Sequence, residues 1–248
     1  MSESLTGLKG TLCILITGKT QGEHNERLIA ALDRIQQVGI TLNKEKCEFS
    51  KDKVTYLGQV IGSNGIQPDP DKVRAILEMQ EPKNTSEVRR FLGMANQLGK
   101  FSSSLSDLTK PLRDLLSTKS DWQWGPAQAK AFADVRRELS NPLLAYYDAN
   151  RETIVSADAS SYGLGAVLLQ KQPDSHWRPV AFHSRALTAT EQRYAQIEKE
   201  ALAATWACER FNDYLVGMSF QIQTDHKPLV PLLGSKDLDS LPPRIQRF

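Results

Sequence analysis

Disulfide chemistry has little to work with in this chain. Its 248 residues hold three cysteines, Cys13, Cys47 and Cys208, odd in number and far apart, which excludes both a disulfide framework and zinc-ligand spacing. A reducing, intracellular setting follows, cytoplasmic or nuclear and not secreted. Long apolar runs are missing as well. The run at residues 12–16 is too short to span a membrane and has no small-residue cleavage site behind it, so it reads as a strand, not as an anchor or a secretory signal. Strong net charge is also absent: 31 Lys and Arg against 29 Asp and Glu give +2. No field of one sign therefore drives the whole chain toward a polyanion. What is left, 40% hydrophobic and 24% charged residues, is the composition of a folded chain with room for one large domain or two ordinary ones.

Charge is nonetheless uneven. Residues 83–113 hold six basic side chains, Lys83, Arg89, Arg90, Lys100, Lys110 and Arg113, against two acidic ones. A modest phosphate-facing surface and a solvated helix face both fit this count. The chain begins with an α/β pattern: the strand at 12–16, a helix at 24–38 closed by Gly39, then a pair of strands at 41–49 and 54–61 ending in the turn Ser63-Asn64-Gly65. Short helices punctuated by prolines follow. Asp69 caps one that starts at Pro70; Asn84, with Glu87 three residues on, caps another whose apolar face is Val88, Phe91, Leu92, Ala95 and Leu98. Arg89, Arg90 and Lys100 lie off that stripe and are available to a phosphate backbone. Helices at 111–116 and 126–139 complete the run, with Trp122 and Trp124 between them expected to pack a junction between domains.

Beyond Pro142 the pattern returns to β. Residues 152–171 read as a hairpin with Asp158 at its mouth, a third strand spans 178–187, and Thr188 or Thr190 caps a long helix running to about Tyr214. A fourth strand at 219–224 ends at Asp225. Two aspartates thus end two strands, and the helix between them carries Glu198 and Glu200. Should the strands be neighbours under that helix, three carboxylates converge. Such groups repel unless a cation neutralises them, and hard oxygen donors suit Mg²⁺ or Mn²⁺ in the attack of water on a phosphodiester.

Six stretches, in order, carry a resemblance: TLNKEKCEFSKDKVTYLGQVI, VRRFLGMANQLGKF, WGPAQAKAFADV, SADASSYGLGAVLLQ, YAQIEKEALAATWACERF and TDHKPLVPLL. The chain resembles the pol polyprotein of gypsy-type LTR retrotransposons, from the end of reverse transcriptase into ribonuclease H. The resemblance implies an α/β (α+β) chain in four parts: a partial reverse transcriptase palm at 1–65, a thumb-like helical domain at 66–120, a connecting helix and linker at 121–150, and a ribonuclease H-like mixed sheet with helices at 151–248. It implies an RNA/DNA hybrid or other nucleic acid as partner, with other pol-derived chains beside it, and no membrane. It also carries the family's catalytic metal ligands onto Asp158 in SADAS, Asp225 in TDH, and Glu200, the glutamate directly before the A-L-A run. Helical phase agrees, because Glu198 is turned further from the apolar stripe and reads as a solvated glutamate. Lone His226 reads as a capping or packing residue.

Two departures shape the expected activity. Where the family has paired polymerase aspartates this chain has Thr11, Leu12 and Cys13, so DNA synthesis by this chain alone is not expected. The family's last ribonuclease H strand and helix, with a fourth aspartate, have no counterpart before Phe248, so the final domain is expected to be incomplete at its C-terminal end. The implied function is metal-dependent hydrolysis of RNA in RNA/DNA hybrids. The alternative is a catalytically inactive nucleic-acid-binding remnant.

Overall fold

The structure, a computed structural model, describes residues 14–18, 20–117, 122–140, 142–234 and 237–248. It divides into two compact units, residues 1–57 and 58–248.

In the first unit, Thr20 starts helix α1 (Gln21–Gln37) by accepting the Glu23 N–H at 3.2 Å. Gly39 follows with φ +71°, the left-handed conformation expected of it. The expected strands fare less well. Residues 14–16 form no strand, and residues 11–13, where polymerase aspartates were sought, lie outside the described residues. Residues 41–49 form a 3₁₀ turn at Lys44–Lys46 instead of a strand, because Asn43 accepts the Glu45 N–H at 3.0 Å and bends the chain locally. The strand read over 54–61 is broken at Leu57 and Gly58, whose φ angles of +50° and +73° no continuous strand accommodates. Strand β1 (Lys53–Tyr56) therefore ends the first unit, and β2 (Gln59–Gly62) starts the second.

The hairpin of β2 and β3 (Gly65–Pro68) turns at Ser63-Asn64, with Gly62 paired to Gly65. Gly65 must be glycine: its φ is +126°, and a Cβ there would run into the Leu144 carbonyl. That close approach lets Ile66 and Leu144 exchange hydrogen bonds at 2.8 and 2.9 Å, tying the hairpin to the segment that leads into the second sheet.

Five helices follow: α2 (Pro70–Leu77), α3 (Thr85–Gln97), α4 (Leu105–Leu108), α5 (Lys110–Asp114) and α6 (Pro126–Glu138). Asp69 and Asn84 cap α2 and α3 as expected, accepting the N–H groups of Asp71 at 3.0 Å and Glu87 at 2.9 Å. The apolar face of α3 is the buried one, and Val88, Phe91, Leu92, Ala95 and Leu98 share a core with Leu112, Phe132, Val135 and Leu139. α6 thus packs with the helices before it. The tryptophans differ from expectation. Trp124 lies edge-on to Phe132 and donates to Glu81 at 3.1 Å, with Trp122 stacked outside it, so the pair closes one end of the helical core.

The second sheet has the order β6-β5-β4-β7, built from β4 (Thr153–Ala159), β5 (Gly163–Lys171), β6 (Trp177–Ala186) and β7 (Gln221–Gln223). β4, β5 and β6 are antiparallel neighbours, and β7 joins β4 in parallel after a crossover through helix α7 (Gln196–Arg210). Val155, Ala157 and Ala159 alternate inward on β4 and pack with Ala203, Ala207 and Phe211. The single long helix read from Thr188 is divided. Thr188 and Glu191 cap a 3₁₀ turn (Glu191–Arg193), α7 starts afresh with the Ala195 N–H bonded to Glu198 at 2.9 Å, and α8 (Asn212–Leu215) follows. After α9 (Leu229–Gly234), Leu241 and Ile245 bury against Ala201 and Leu229. The helical core and the sheet meet closely: Ser160 donates to Asp107 at 2.7 Å, and a Cβ on Gly163 would collide with Ser106 and Asp107.

Candidate metal centre

Asp158 is the next-to-last residue of β4 and falls out of phase with the buried Val155, Ala157 and Ala159, so its carboxylate is exposed at the strand end. The parallel register pairs Ser156 with Gln223. Two residues further along each chain stand Asp158 and Asp225, which this register therefore sets side by side. The crossover helix supplies the third group. Glu200 lies in the second turn of α7 and is only 4% exposed. One ligand oxygen from each of Asp158, Glu200 and Asp225 lies within 4.8 Å of the others.

The electrostatics of Glu200 are unusual for a glutamate. Its Oε1 accepts from Gln196 Nε2 at 2.6 Å, while its Oε2 is buried with no hydrogen-bond partner. Burial raises its pKa above the ordinary carboxylate range, and the neighbouring Asp158 and Asp225 push in the same direction against the Gln196 hydrogen bond and His226. A buried acceptor without a partner is costly, and a cation or a proton on it relieves that cost. Three carboxylates without histidine or thiolate form a hard donor set of the kind that divalent cations of the magnesium class accept.

Glu198 stands apart from this cluster. It is not the solvated residue expected, since it caps α7 and accepts from Arg244 at 2.7 Å, with its side chain 17% exposed. His226 is half-buried beside the site, and its backbone N–H is bonded to Thr224 Oγ1 at 3.1 Å. Gln196 escaped notice in the sequence. Its only signal was a position four residues before Glu200, one turn away on the same helix face.

The basic residues singled out in the sequence are elsewhere, on the helical part. Arg89 and Arg90 are exposed on α3, and neither makes an ion pair among the described residues. Lys100 is partly buried, its ammonium 5.4 Å from the centre of the Phe101 ring; burial first, and the Lys72 charge second, hold its pKa below the usual lysine value. No helix among the described residues is long and apolar enough to cross a membrane.

Known proteins resemble this chain in sequence and in fold. A family described as "RNase H-like domain found in reverse transcriptase" matches residues 124–222. The Transposon Tf2-3 and Tf2-4 polyproteins of Schizosaccharomyces pombe are each 33% identical over 220 residues, which is 88% of this chain. The chain spans 16% of the length of these relatives. Among solved structures, the foamy viral protease-reverse transcriptase dRH in complex with double-stranded DNA aligns over 94% of this chain and 40% of its own, with TM-score 0.74 and 20% identity. The foamy viral protease-reverse transcriptase in complex with RNA/DNA hybrid aligns over 84% of this chain and 28% of its own, with TM-score 0.70 and 21% identity. At such identities the likeness is one of fold, a mixed α/β chain with two sheets and helices, and it bears out the fold class read from the sequence. Over most of its length the chain is thus similar to retrotransposon polyproteins, and its residues 124–222 match an RNase H-like domain found in reverse transcriptase.

Proposed function

We propose that this chain hydrolyses the RNA strand of RNA/DNA hybrids, with Asp158, Glu200 and Asp225 holding Mg²⁺ or Mn²⁺. The observation that carries the reading is the buried, unpartnered Oε2 of Glu200 beside two exposed carboxylates. Three converging acids, one of them buried with an unpartnered acceptor, are the arrangement that a bound divalent cation neutralises. A divalent cation in that position supplies stabilisation of the negative charge that builds on a phosphodiester as water attacks in line. Asp158 and Asp225, exposed at strand ends, meet an incoming backbone, while Glu200 anchors the cluster from within. Arg89, Arg90 and Lys100 serve as backbone contacts on the helical part, in the thumb-like role at residues 66–120, and other pol-derived chains complete the assembly. Free Cys47 and Cys208 fit an intracellular place of action, cytoplasmic or nuclear.

The test is cleavage of an end-labelled RNA/DNA hybrid by the purified chain in Mg²⁺ or Mn²⁺, beside Asp158→Asn. Metal-dependent cleavage by the wild type, lost by at least a hundredfold in the variant, is the expected result. Equal background from both would sink the nuclease assignment.

A further inference from the structure

Two exposed carboxylates need no support to reach a metal, but a buried one does. Glu200 projects from α7, and its side chain must be held in one rotamer for its carboxylate to stay beside Asp158 and Asp225. The group next to it is Gln196, the first residue of α7. Its Nε2 has two hydrogens and donates to two acceptors: Glu200 Oε1 at 2.6 Å and the backbone carbonyl of Ala159 at 2.7 Å. Ala159 immediately follows Asp158 at the end of β4. One side-chain amide thus joins the helix that carries Glu200 to the strand that carries Asp158.

We infer that Gln196 is the positioning residue of this centre, locking Glu200 and the end of β4 into a single metal-binding geometry. The inference rests on the metal-dependent nuclease reading above and adds to it a residue that does not itself touch the metal. The chemistry is specific. With one acceptor site of Oε1 engaged by Gln196, Oε2 is the oxygen left without a partner. Without that amide, both oxygens of a buried carboxylate are orphaned, and the side chain is free to rotate out of the cluster toward water. Because the same amide holds the Ala159 carbonyl, its loss also frees the strand end beside Asp158. Residues that orient metal ligands in this way are worth about 10- to 100-fold in metal affinity. Gln196 is itself exposed and contributes nothing to the apolar core, so its replacement leaves the fold in place.

The measurement is Mn²⁺ binding by the full chain, followed by electron paramagnetic resonance, for the wild type, Gln196→Met and Asp158→Asn. Methionine matches the length of glutamine but donates no hydrogen bond. Metal-free hybrid affinity, the thermal midpoint, and cleavage against Mn²⁺ concentration are read on the same samples. The expected result is a 10- to 100-fold weaker Mn²⁺ affinity in Gln196→Met, with cleavage recovered at high Mn²⁺, with hybrid affinity unchanged, and with the chain still folded, its metal-free midpoint lower by roughly 2–4 °C for the lost hydrogen bonds. Unaltered Mn²⁺ affinity overturns the inference, and if hybrid binding falls instead, Gln196 is a substrate contact. A wild type that binds no more Mn²⁺ than Asp158→Asn refutes the metal reading itself, a different outcome from wild-type binding that Gln196→Met preserves. Selective ¹⁵N labelling of glutamine side chains gives a check on the wild type alone: the Gln196 amide protons exchange slowly if the bridge is present, and rapid exchange counts against it.

Discussion

At Glu200 the fold holds a group under conditions no isolated glutamate would choose. It is 4% exposed, one oxygen lacks a hydrogen bond, and burial together with two neighbouring carboxylates raises its pKa. Removing the charge while keeping the shape should therefore stabilise the metal-free chain. Glu200→Gln is expected to melt higher than the wild type at neutral pH without metal, by about 1 kcal/mol, while losing both cleavage and any stabilisation by Mg²⁺. Thermal melts with and without Mg²⁺ read both halves of this prediction, and identical metal-free midpoints would show that the carboxylates do not strain the fold. Asp158 and Asp225 were legible in the sequence, since each follows a β-prone run and strand ends hold a carboxylate still. The distinction between Glu198 and Glu200 was only partly so. Helical phase turns one somewhat further from the apolar stripe, but the ion pair to Arg244, which joins the local N-cap bond in occupying Glu198, involves a residue far along the chain.

Among the elements, the junction of β6 and α7 shows how a local box decides where a helix begins. Arg185, near the end of β6, grips Glu191 with two parallel hydrogen bonds of 2.8 and 2.9 Å, and the Thr188 N–H donates to the same carboxylate at 2.7 Å. Those bonds, led by the one from Arg185, hold the Glu191 pKa down to about 2. They also fix a 3₁₀ turn where the sequence reads as continuous helix, so α7 starts at Gln196 and not at Thr188. A depressed folded-state pKa means that this contribution to stability is fully present above the unfolded value of 4.5 and is lost as pH falls toward about 2. Glu191→Gln lacks it at every pH. The variant is expected to melt below the wild type at pH 6, by roughly 2–4 °C for a loss of about 1 kcal/mol after solvent screening. That gap should close as pH is lowered from 4.5. A gap that stays constant over the range would assign the effect to packing and not to the ion pair. Helix faces and caps elsewhere were readable, as Asn84 with the Val88, Phe91, Ala95 face shows, because a cap and a 3.6-residue stripe are local. The strand expected at 41–49 was not, nor was the described part, residues 14–16, of the one expected at 12–16, because β-propensity is realised only where a partner strand exists.

Over the whole molecule, the helical part and the second sheet pack within one compact unit, with Ser160 bonded to Asp107 and Gly163 allowing close approach. A hybrid gripped by the helices would then meet the carboxylates at a fixed distance. If Arg89 and Arg90 are backbone contacts, reversing both to glutamate weakens hybrid binding and flattens its log–log dependence on salt by roughly 2. Mn²⁺ affinity should not change, since neither residue belongs to the carboxylate cluster. Hybrid binding that ignores both salt and the double reversal would remove the helices from the interface. What the sequence determined by itself is what short stretches determine: the capped, amphipathic helices, the hairpin at 152–171, the strand-end aspartates and, through six ordered motifs, the kinship with retrotransposon polyproteins. Tertiary structure alone decided that β7 lies parallel to β4, that Glu200 is buried with one oxygen empty, and that Gln196 bridges helix and strand. The physical reason is range. Caps and periodic faces are satisfied within a few residues, whereas register, burial and a shared hydrogen bond exist only once distant segments have come together.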